Sequence, residues 1–504
     1  MKRVLIASPV RQKPNILAEF LTCLAQLETA GLAVEYAFID DNDVLSDQLQ
    51  AFAAAKPQTT ILRGMENSHY YQCNEQTHFW QDDIIWKVAR YKDIFIQMAR
   101  DREFDYLFLV DSDLALHPKT ITHLVSLGKD IVAEVYWTRW EKDLIPLPQV
   151  WLGGQYRLHA LQTGEELSPE ETAQRQNNFL RMLQCPGIYK VGGLGACTLI
   201  SAAALRAGVS FRKIYNLDLI GEDRHFCVRA AALGFELYAD TCYPPYHMYR
   251  ESELSGLSQH KELYDYAQQR PSPRLMLAML VRNEADRYLE KVLTHATRYV
   301  HEAVILDDAS TDHTIAVCRR CLASLPHKIV VNDEPGFHNE VALRKQLWDL
   351  AVETKPDWIL ILDADEVFED KIVDVMPHLL RSPHFDAYYF RLYDMWTEKQ
   401  YREDEYWQAH KYYRPFLVRY KPGYNYVWQE TAQHCGRFPI SIASLRGATC
   451  QVRLQHWGWV RPADRLEKYY RYQKLDPQAH YGVREQYLSI LDPKPRLLFW
   501  QEEE

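Results

Sequence analysis

Two short stretches bring carboxylates together in a pattern that suits a divalent cation. WILILDADEVFED, residues 358–370, is an apolar run that stops in Asp363-Ala364-Asp365-Glu366, and YLFLVDSDLAL, residues 106–116, stops in Asp111-Ser112-Asp113. Both apolar runs have strand character. In an extended chain residues i and i+2 point to the same side, so each aspartate pair is expected to present two carboxylates to one point, where a hard cation would sit. A buried parallel strand that ends in acid is unusual as architecture alone, because the carboxyl ends of such strands open onto the crevice where ligands bind. The two pairs lie half a chain apart, which suggests one architecture used twice.

The elements needed to position these acids can be read on either side of them. Ahead of Asp111, RVLIAS (3–8) predicts a strand, 16–30 a helix stopped by Gly31, VEYAFIDDN (34–42) a strand ending at Asp40 and Asp41, and 86–100 a helix. Strand and helix alternate, and the strands end in acid, so an α/β fold with an open, mostly parallel sheet is expected. A polar insert (153–178) reads as loop and short helix. The glycines of VGGLGACTLIS (191–201) lack dinucleotide-fingerprint spacing and imply either a close backbone approach to a ligand or a plain turn. IGEDRHFCVRAAALGFELYAD opens a helix at Glu222 and Asp223, and PPYHMY, with His247, closes the first half. The polar, proline-ended stretch before residue 274 marks a boundary, giving a domain over 1–254, a linker over 255–273 and a second domain over 274–504 with a helical extension.

The pattern then restarts. LMLAMLVRNEADRYLEKVL predicts strand, Asn283-Glu284, helix; HEAVILDDASTDHT ends a strand at Asp307 and Asp308; ALRKQLWDLAVE, with Arg344, is a helix before the Trp358 strand. Further on, YVWQETAQH carries Glu430 and His434, and LQHWGWVRPADRLEKYYRYQKLD carries His456 before a basic-aromatic helix.

Composition narrows the function classes. The chain has 504 residues, long enough for two or three domains, and its 47% hydrophobic and 25% charged residues are those of an ordinary globular protein. A net charge of −10 without a dense Lys/Arg cluster argues against a nucleic-acid binder. The abundance of Tyr (32) and Trp (13) suits surfaces that stack on sugars or bases, although a Tyr-rich composition alone explains it equally well. Ten scattered cysteines with no zinc spacing read as free thiols in a reducing compartment. No apolar stretch reaches membrane-spanning length, so the expectation is a cytoplasmic protein whose lipid contact, if any, is peripheral.

These motifs resemble the GT-A glycosyltransferases, which are nucleotide-sugar-dependent enzymes with a Rossmann-like sheet and a metal-binding Asp-x-Asp. Residues 274–370 are similar in order and spacing to family 2 glycosyltransferases, through VRNEADRYLEKVL, VILDDASTDHT and WILILDADE. The first half resembles the fold more loosely, through VEYAFIDDN, YLFLVDSD and IGEDRHFCVRAAALGFE. The resemblance implies two GT-A domains in tandem, a UDP-sugar donor, and a glycan, lipid-linked or protein acceptor. It implies that Asp307 and Asp308 receive the base and ribose, as Asp40 and Asp41 would in the first half; the alternative is an Asx turn with Ser310 and Thr311. Asp363 and Asp365, and likewise Asp111 and Asp113, would hold Mn²⁺ or Mg²⁺ against the diphosphate, with His456 and His247 adding an imidazole that favours Mn²⁺. Arg344 would reach a phosphate or the base, or else be a solvated helix charge. Glu430 in the second half, and Asp223 with Glu222 in the first, stand where the family keeps the acceptor-side base. A nucleotidyltransferase is the rival enzyme, but neither LVRNEADR nor ASPVRQKP has its Gly-rich phosphate loop. The rival from another class is a first half that only binds a glycan or a partner domain.

Overall fold

Uninterrupted apolar runs form the central strands of two sheets, one in each of the compact units Met1–Arg270 and Pro271–Glu504. The computed structural model describes residues 1–65, 72–74, 78–79, 81–432, 435–480 and 482–502. In the first unit the chain runs β1 (Lys2–Val10), α1 (Pro14–Ala25), β2 (Leu32–Asp40), α2 (Asp47–Ala55), β3 (Thr59–Arg63), α3 (Asp82–Asp101), β4 (Tyr106–Leu109) and β5 (Leu114–Ala115). It continues through α4 (Thr120–Ser126), β6 (Ile131–Glu134), α5 (Pro169–Met182), β7 (Ile188–Val191), β8 (Thr198–Ser201), α6 (Glu222–Ala232), β9 (Leu237–Asp240) and β10 (Tyr246–His247). The sheet order is β7-β9-β6-β8-β4-β1-β2-β3. Both faces of β1 are covered: Leu5 and Ala7 pack into one apolar cluster, Val4 and Ile6 into another. This is why its sequence is a continuous hydrophobic run rather than an alternating one.

The second unit repeats the plan with β11 (Leu275–Val281), α7 (Leu289–Ala296), β12 (Glu302–Asp307), β13 (His327–Val331), α8 (Glu340–Val352), β14 (Trp358–Ile361) and β15 (Glu366–Phe368). β16 (Ala387–Thr397), β17 (Tyr413–Arg419), β18 (Gly447–His456) and α9 (Pro462–Leu475) follow. Its sheet runs β13-β12-β11-β14-β17-β16. In both units four parallel strands in the order third, second, first, fourth are followed by an antiparallel one: β8 beside β4, and β17 beside β14. The acids expected at strand ends therefore stand at the carboxyl edge of each sheet.

Three expectations change. The segment expected as a linker belongs largely to the first unit: residues 254–263 form a helix, and Tyr266 is buried with its hydroxyl donating to the Ala115 carbonyl at 2.9 Å. The polar insert contains a full helix, α5, whose start is a capping box between Ser168 and Glu171. The close approach at Gly192 and Gly193 is to the chain's own backbone and an indole rather than a ligand, because a Cβ there would lie 2.2 Å from the Leu152 carbonyl oxygen and 2.1 Å from the Trp151 ring. Among the described residues nine cysteines are free thiols, and no helix is long and apolar enough to cross a membrane.

Candidate active site

β14 delivers its acids through a turn, not along a strand face. The chain leaves the strand after Ile361, the Glu366 amide donates back to the Asp363 carbonyl at 3.2 Å, and the strand rule of alternating sides no longer applies. The two carboxylates part as a result. Asp363 Oδ1 accepts from both terminal nitrogens of Arg344 at 3.2 Å, while Asp365 Oδ2 faces Lys468 Nζ at 3.3 Å and His456 Nε2 at 3.4 Å. His456 Nδ1 is held in turn by Asp394 Oδ1 at 2.8 Å, and the Trp459 indole donates to the same oxygen at 3.2 Å.

Burial and neighbouring charge compete throughout this cluster. Burial alone would raise Asp365, but Lys468 and His456 outweigh it and hold the carboxyl well below the usual range. For His456 burial would lower the pKa, but Asp365 together with the Asp394 hydrogen bond pushes it up to about 9, so Nε2 must release a proton before it can ligate a metal. Asp363 is also lowered, Arg344 and Arg437 overcoming the effect of burial.

Arg344 is not a solvated charge. It falls on the buried stripe of α8 with Leu343, Leu347, Trp348 and Ala351, and it pairs with Glu340 as well as Asp363. Glu366 is likewise committed, since it is buried and takes Arg437 in a fork at 2.7 and 2.8 Å. Asp307 and Asp308 sit side by side at the end of β12, fully buried. Asp307 Oδ1 accepts the Ser310 amide at 2.8 Å, which realises part of the Asx-turn alternative, and Asp308 accepts the amides of Gly336 and Phe337 at 2.6 and 3.2 Å. Glu430 is 67% exposed and pairs with Lys345 at 2.6 Å, one residue along α8 from the arginine that holds Asp363. His434 lies outside the described residues.

The donor set at Asp365 fits a divalent cation. A carboxylate oxygen and an imidazole nitrogen stand 3.4 Å apart, and an ammonium already occupies the cationic position against them. Gly458 keeps that space open: a Cβ there would lie 2.1 Å from Asp365 Oδ2 and 2.2 Å from Lys468 Nζ. Gly458→Ala is therefore expected to displace one of these groups and weaken Mn²⁺ binding, with turnover falling about 10²-fold. Titration of Mn²⁺ by electron paramagnetic resonance, beside the circular dichroism spectrum, checks this.

The first unit builds the same arrangement. The Leu114 amide donates to the Asp111 carbonyl at 3.3 Å, closing the matching turn, and Asp113 Oδ2 lies 3.4 Å from His247 Nε2. In both units the residue after the second aspartate pairs antiparallel with the histidine: Leu114 with His247, Glu366 with His456. In both, the amide after the histidine donates to the carbonyl of that aspartate, at 2.8 Å from Met248 to Asp113 and 2.7 Å from Trp457 to Asp365. His247 Nδ1 meets the Thr138 hydroxyl at 2.9 Å.

Lys92 closes the first site. It is buried on the stripe of α3, and its ammonium reaches Glu222 Oε1 at 2.8 Å and Asp223 Oδ1 at 2.7 Å. Burial pushes Asp111 and Asp223 each up to about 6, with Lys92 pulling the other way. Asp40 and Asp41 are both engaged. Asp40 is fully buried and accepts the Asn42 and Ser46 amides at 3.2 and 2.8 Å; Asp41 takes Lys87 at 2.7 and 2.8 Å and the Tyr91 hydroxyl at 2.7 Å.

Lys92, Lys468, Asp394, Arg437 and Glu284 were not foreseen from the sequence. Burial raises the Glu284 carboxyl to about 7, and Asp365 adds to that rise against Arg287. For Lys92 a signal existed, because it falls at a core position of α3 between Ala89 and Ile96.

Residues 277–437 match the family Glycosyl transferase family 2, and this part of the second unit is a family 2 glycosyltransferase domain. The chain is 27% identical over 226 residues to an uncharacterized protein of Mycobacterium tuberculosis, covering 41% of this chain and 52% of that protein. An uncharacterized glycosyltransferase of Rickettsia bellii is 27% identical over 110 residues, covering 22% of this chain and 34% of its own length. The chain thus spans about half, or less, of the curated relatives it matches. Among solved structures, Staphylococcus aureus TarS in complex with UDP-GlcNAc is similar at 12% identity and TM-score 0.26, over 43% of this chain and 70% of that one. The mannosyltransferase PcManGT from Pyrobaculum calidifontis, in complex with GDP-Man and Mn²⁺, is similar at 15% identity and TM-score 0.27, over 44% and 70%.

Proposed function

We propose that the second unit moves a sugar from a nucleotide-sugar donor, a UDP-sugar by the carboxylate pair at the end of β12, to a hydroxyl acceptor with inversion at the anomeric carbon. The observation that carries this is the Asp365, His456 and Lys468 cluster at the carboxyl edge of β14, whose Asp365 lies within the stretch 277–437 that matches family 2 while His456 and Lys468 come from the chain that follows it. Bound at Asp365, Mn²⁺ or Mg²⁺ supplies the charge that neutralises the departing diphosphate. His456 and Asp394 orient that carboxylate. Arg344, drawn from Asp363, gives the diphosphate a second cation, and Glu430 takes the proton of the acceptor hydroxyl. The test is donor turnover: the full chain, given UDP-sugars with Mn²⁺, should release UDP, and release should stop on chelation.

The repeated turn and histidine register support a second, related centre in the first unit and hence a bifunctional enzyme. A different observation favours a binding role there: Lys92 is 3% exposed and already neutralises Glu222 and Asp223, the acids a base would come from. Asp111→Asn with Asp113→Asn separates the two. Loss of one of two sugar additions supports two catalytic centres; unchanged products with weaker glycan binding support a binding half.

A further inference from the structure

The first unit holds a second cluster of metal-type donors that no step above uses. It lies at the carboxyl ends of β6 and β9, which pair in parallel so that Glu134 stands beside Asp240. Across the sheet, β8 separates β6 from β4, which places this cluster two strand spacings, about 10 Å, from the line of the Asp111 strand. His123, from the last turn of α4, points its Nε2 at Asp240 Oδ1 across 3.1 Å. One ligand atom from each of His123, Glu134 and Asp240 lies within 4.8 Å of the other two. Ligands about 2.0–2.2 Å from a common tetrahedral ion stand roughly 3.4 Å apart, so these side chains would draw in slightly around one.

Glu134 makes the cluster more than a group of acids. Its side chain is 1% exposed, and neither carboxylate oxygen accepts a hydrogen bond of ordinary geometry; the Tyr243 amide leans towards it, and otherwise it faces the carboxylate of Asp240. Two buried carboxylates pressed together need a cation or a shared proton. Asp240 Oδ1 accepts the Cys242 amide at 2.9 Å, and the Cys242 sulfur lies within 4.8 Å of a His123 ring nitrogen.

We propose that His123, Glu134 and Asp240 form a buried divalent transition-metal site, zinc by its mixture of imidazole, carboxylate and neighbouring thiol, that fastens the ends of β6 and β9 to α4. An imidazole with two carboxylates suits zinc's three-ligand sites, and the Cys242 thiol lies beside the same histidine. So enclosed a site is structural, and it is separate from the Asp113 and His247 pair.

The test uses the full chain carrying Asp113→Asn and Asp365→Asn, which removes the two Asp-x-Asp centres. Loaded with Zn²⁺ and dialysed, this parent should retain about one equivalent by mass spectrometry and melt at a higher temperature than after chelation. Adding Glu134→Gln should abolish both the retained zinc and its effect on melting. His123→Gln, at a helix position whose side chain is 13% exposed, should do the same if Glu134→Gln does not fold. A parent that retains no zinc, or variants that retain as much as the parent, would overturn the proposal. Equal melting of parent and Glu134→Gln, with no zinc in either, is the signature of a shared proton alone.

Discussion

Asp365→Asn is expected to lower transfer by the second unit by roughly 10³-fold, the scale of losing a divalent cation's stabilisation of the leaving diphosphate. An amide oxygen keeps the shape of the carboxylate but not its charge, so donor turnover and Mn²⁺ binding should fall together. The variant also leaves Lys468 and His456 facing each other without their shared counter-charge. Removing one partner from such a buried set destabilises, here by up to about 3 kcal/mol, because His456 can relieve part of the strain by releasing its proton. The informative measurement is therefore UDP release and Mn²⁺ affinity on protein whose circular dichroism spectrum matches wild type. Wild-type turnover in the variant, alongside chelator-sensitive turnover in the parent, would take Asp365 out of the site.

What the sequence made legible follows from how local each feature is. The apolar run from Trp358 to Ile361 could only be a buried strand, and the acids after it had to lie at the sheet's carboxyl edge. Their geometry was not legible. A turn begins one residue beyond the strand, which sends Asp363 to Arg344 and Asp365 to Lys468, and no local pattern distinguishes that turn from another extended residue pair. The partners are hidden for a second reason: Lys468 stands 103 positions from Asp365, and only tertiary packing brings them together. Arg344 and Lys92 lie between these extremes. Both fall on the apolar stripes of their helices, and a charge on such a stripe must be paired or pay for its burial, so their engagement could be inferred even though their partners could not.

The repeat was half visible. Two Asp-x-Asp strand ends can be read directly, whereas the shared antiparallel pairing of Leu114 with His247 and of Glu366 with His456 appears only in three dimensions. That register makes the histidines more than incidental, because each is fixed opposite its aspartate by backbone hydrogen bonds rather than by side-chain contact alone.

Glu430→Gln is expected to leave donor and Mn²⁺ binding near wild type while lowering turnover by roughly 10²-fold, the usual weight of a positioned base. An inverting transfer needs a carboxylate on the face of the sugar opposite the diphosphate, open to an incoming acceptor. Glu366 is excluded by its buried fork with Arg437, and Asp404 by its contacts to Arg402 at 2.5 Å and to the Tyr406 and Trp407 amides at 3.0 and 3.2 Å. Glu405, exposed in the same aromatic loop as Asp404, stays open to the same test, and the two acids nearest the centre's own contacts are Glu430 and Glu284. Glu430 is exposed, and its ion pair to Lys345 is of the surface kind that contributes about 0–1 kcal/mol and breaks readily when an acceptor arrives. The loop that carries it is tied to the active centre, since the Glu340 amide donates to the Ala432 carbonyl at 2.8 Å and Arg437 reaches Glu366. Glu284 has the pKa of a base, about 7, but it is largely buried, packed with Arg287 and within the field of Asp365, on the side where the metal and diphosphate would lie. Its substitution should therefore weaken donor or metal binding as well as turnover. Kinetics of Glu430→Gln and Glu284→Gln side by side decide between them: a pure turnover loss identifies the base, and if that loss falls on Glu284 while Glu430→Gln turns over normally, the proton goes to Glu284 instead.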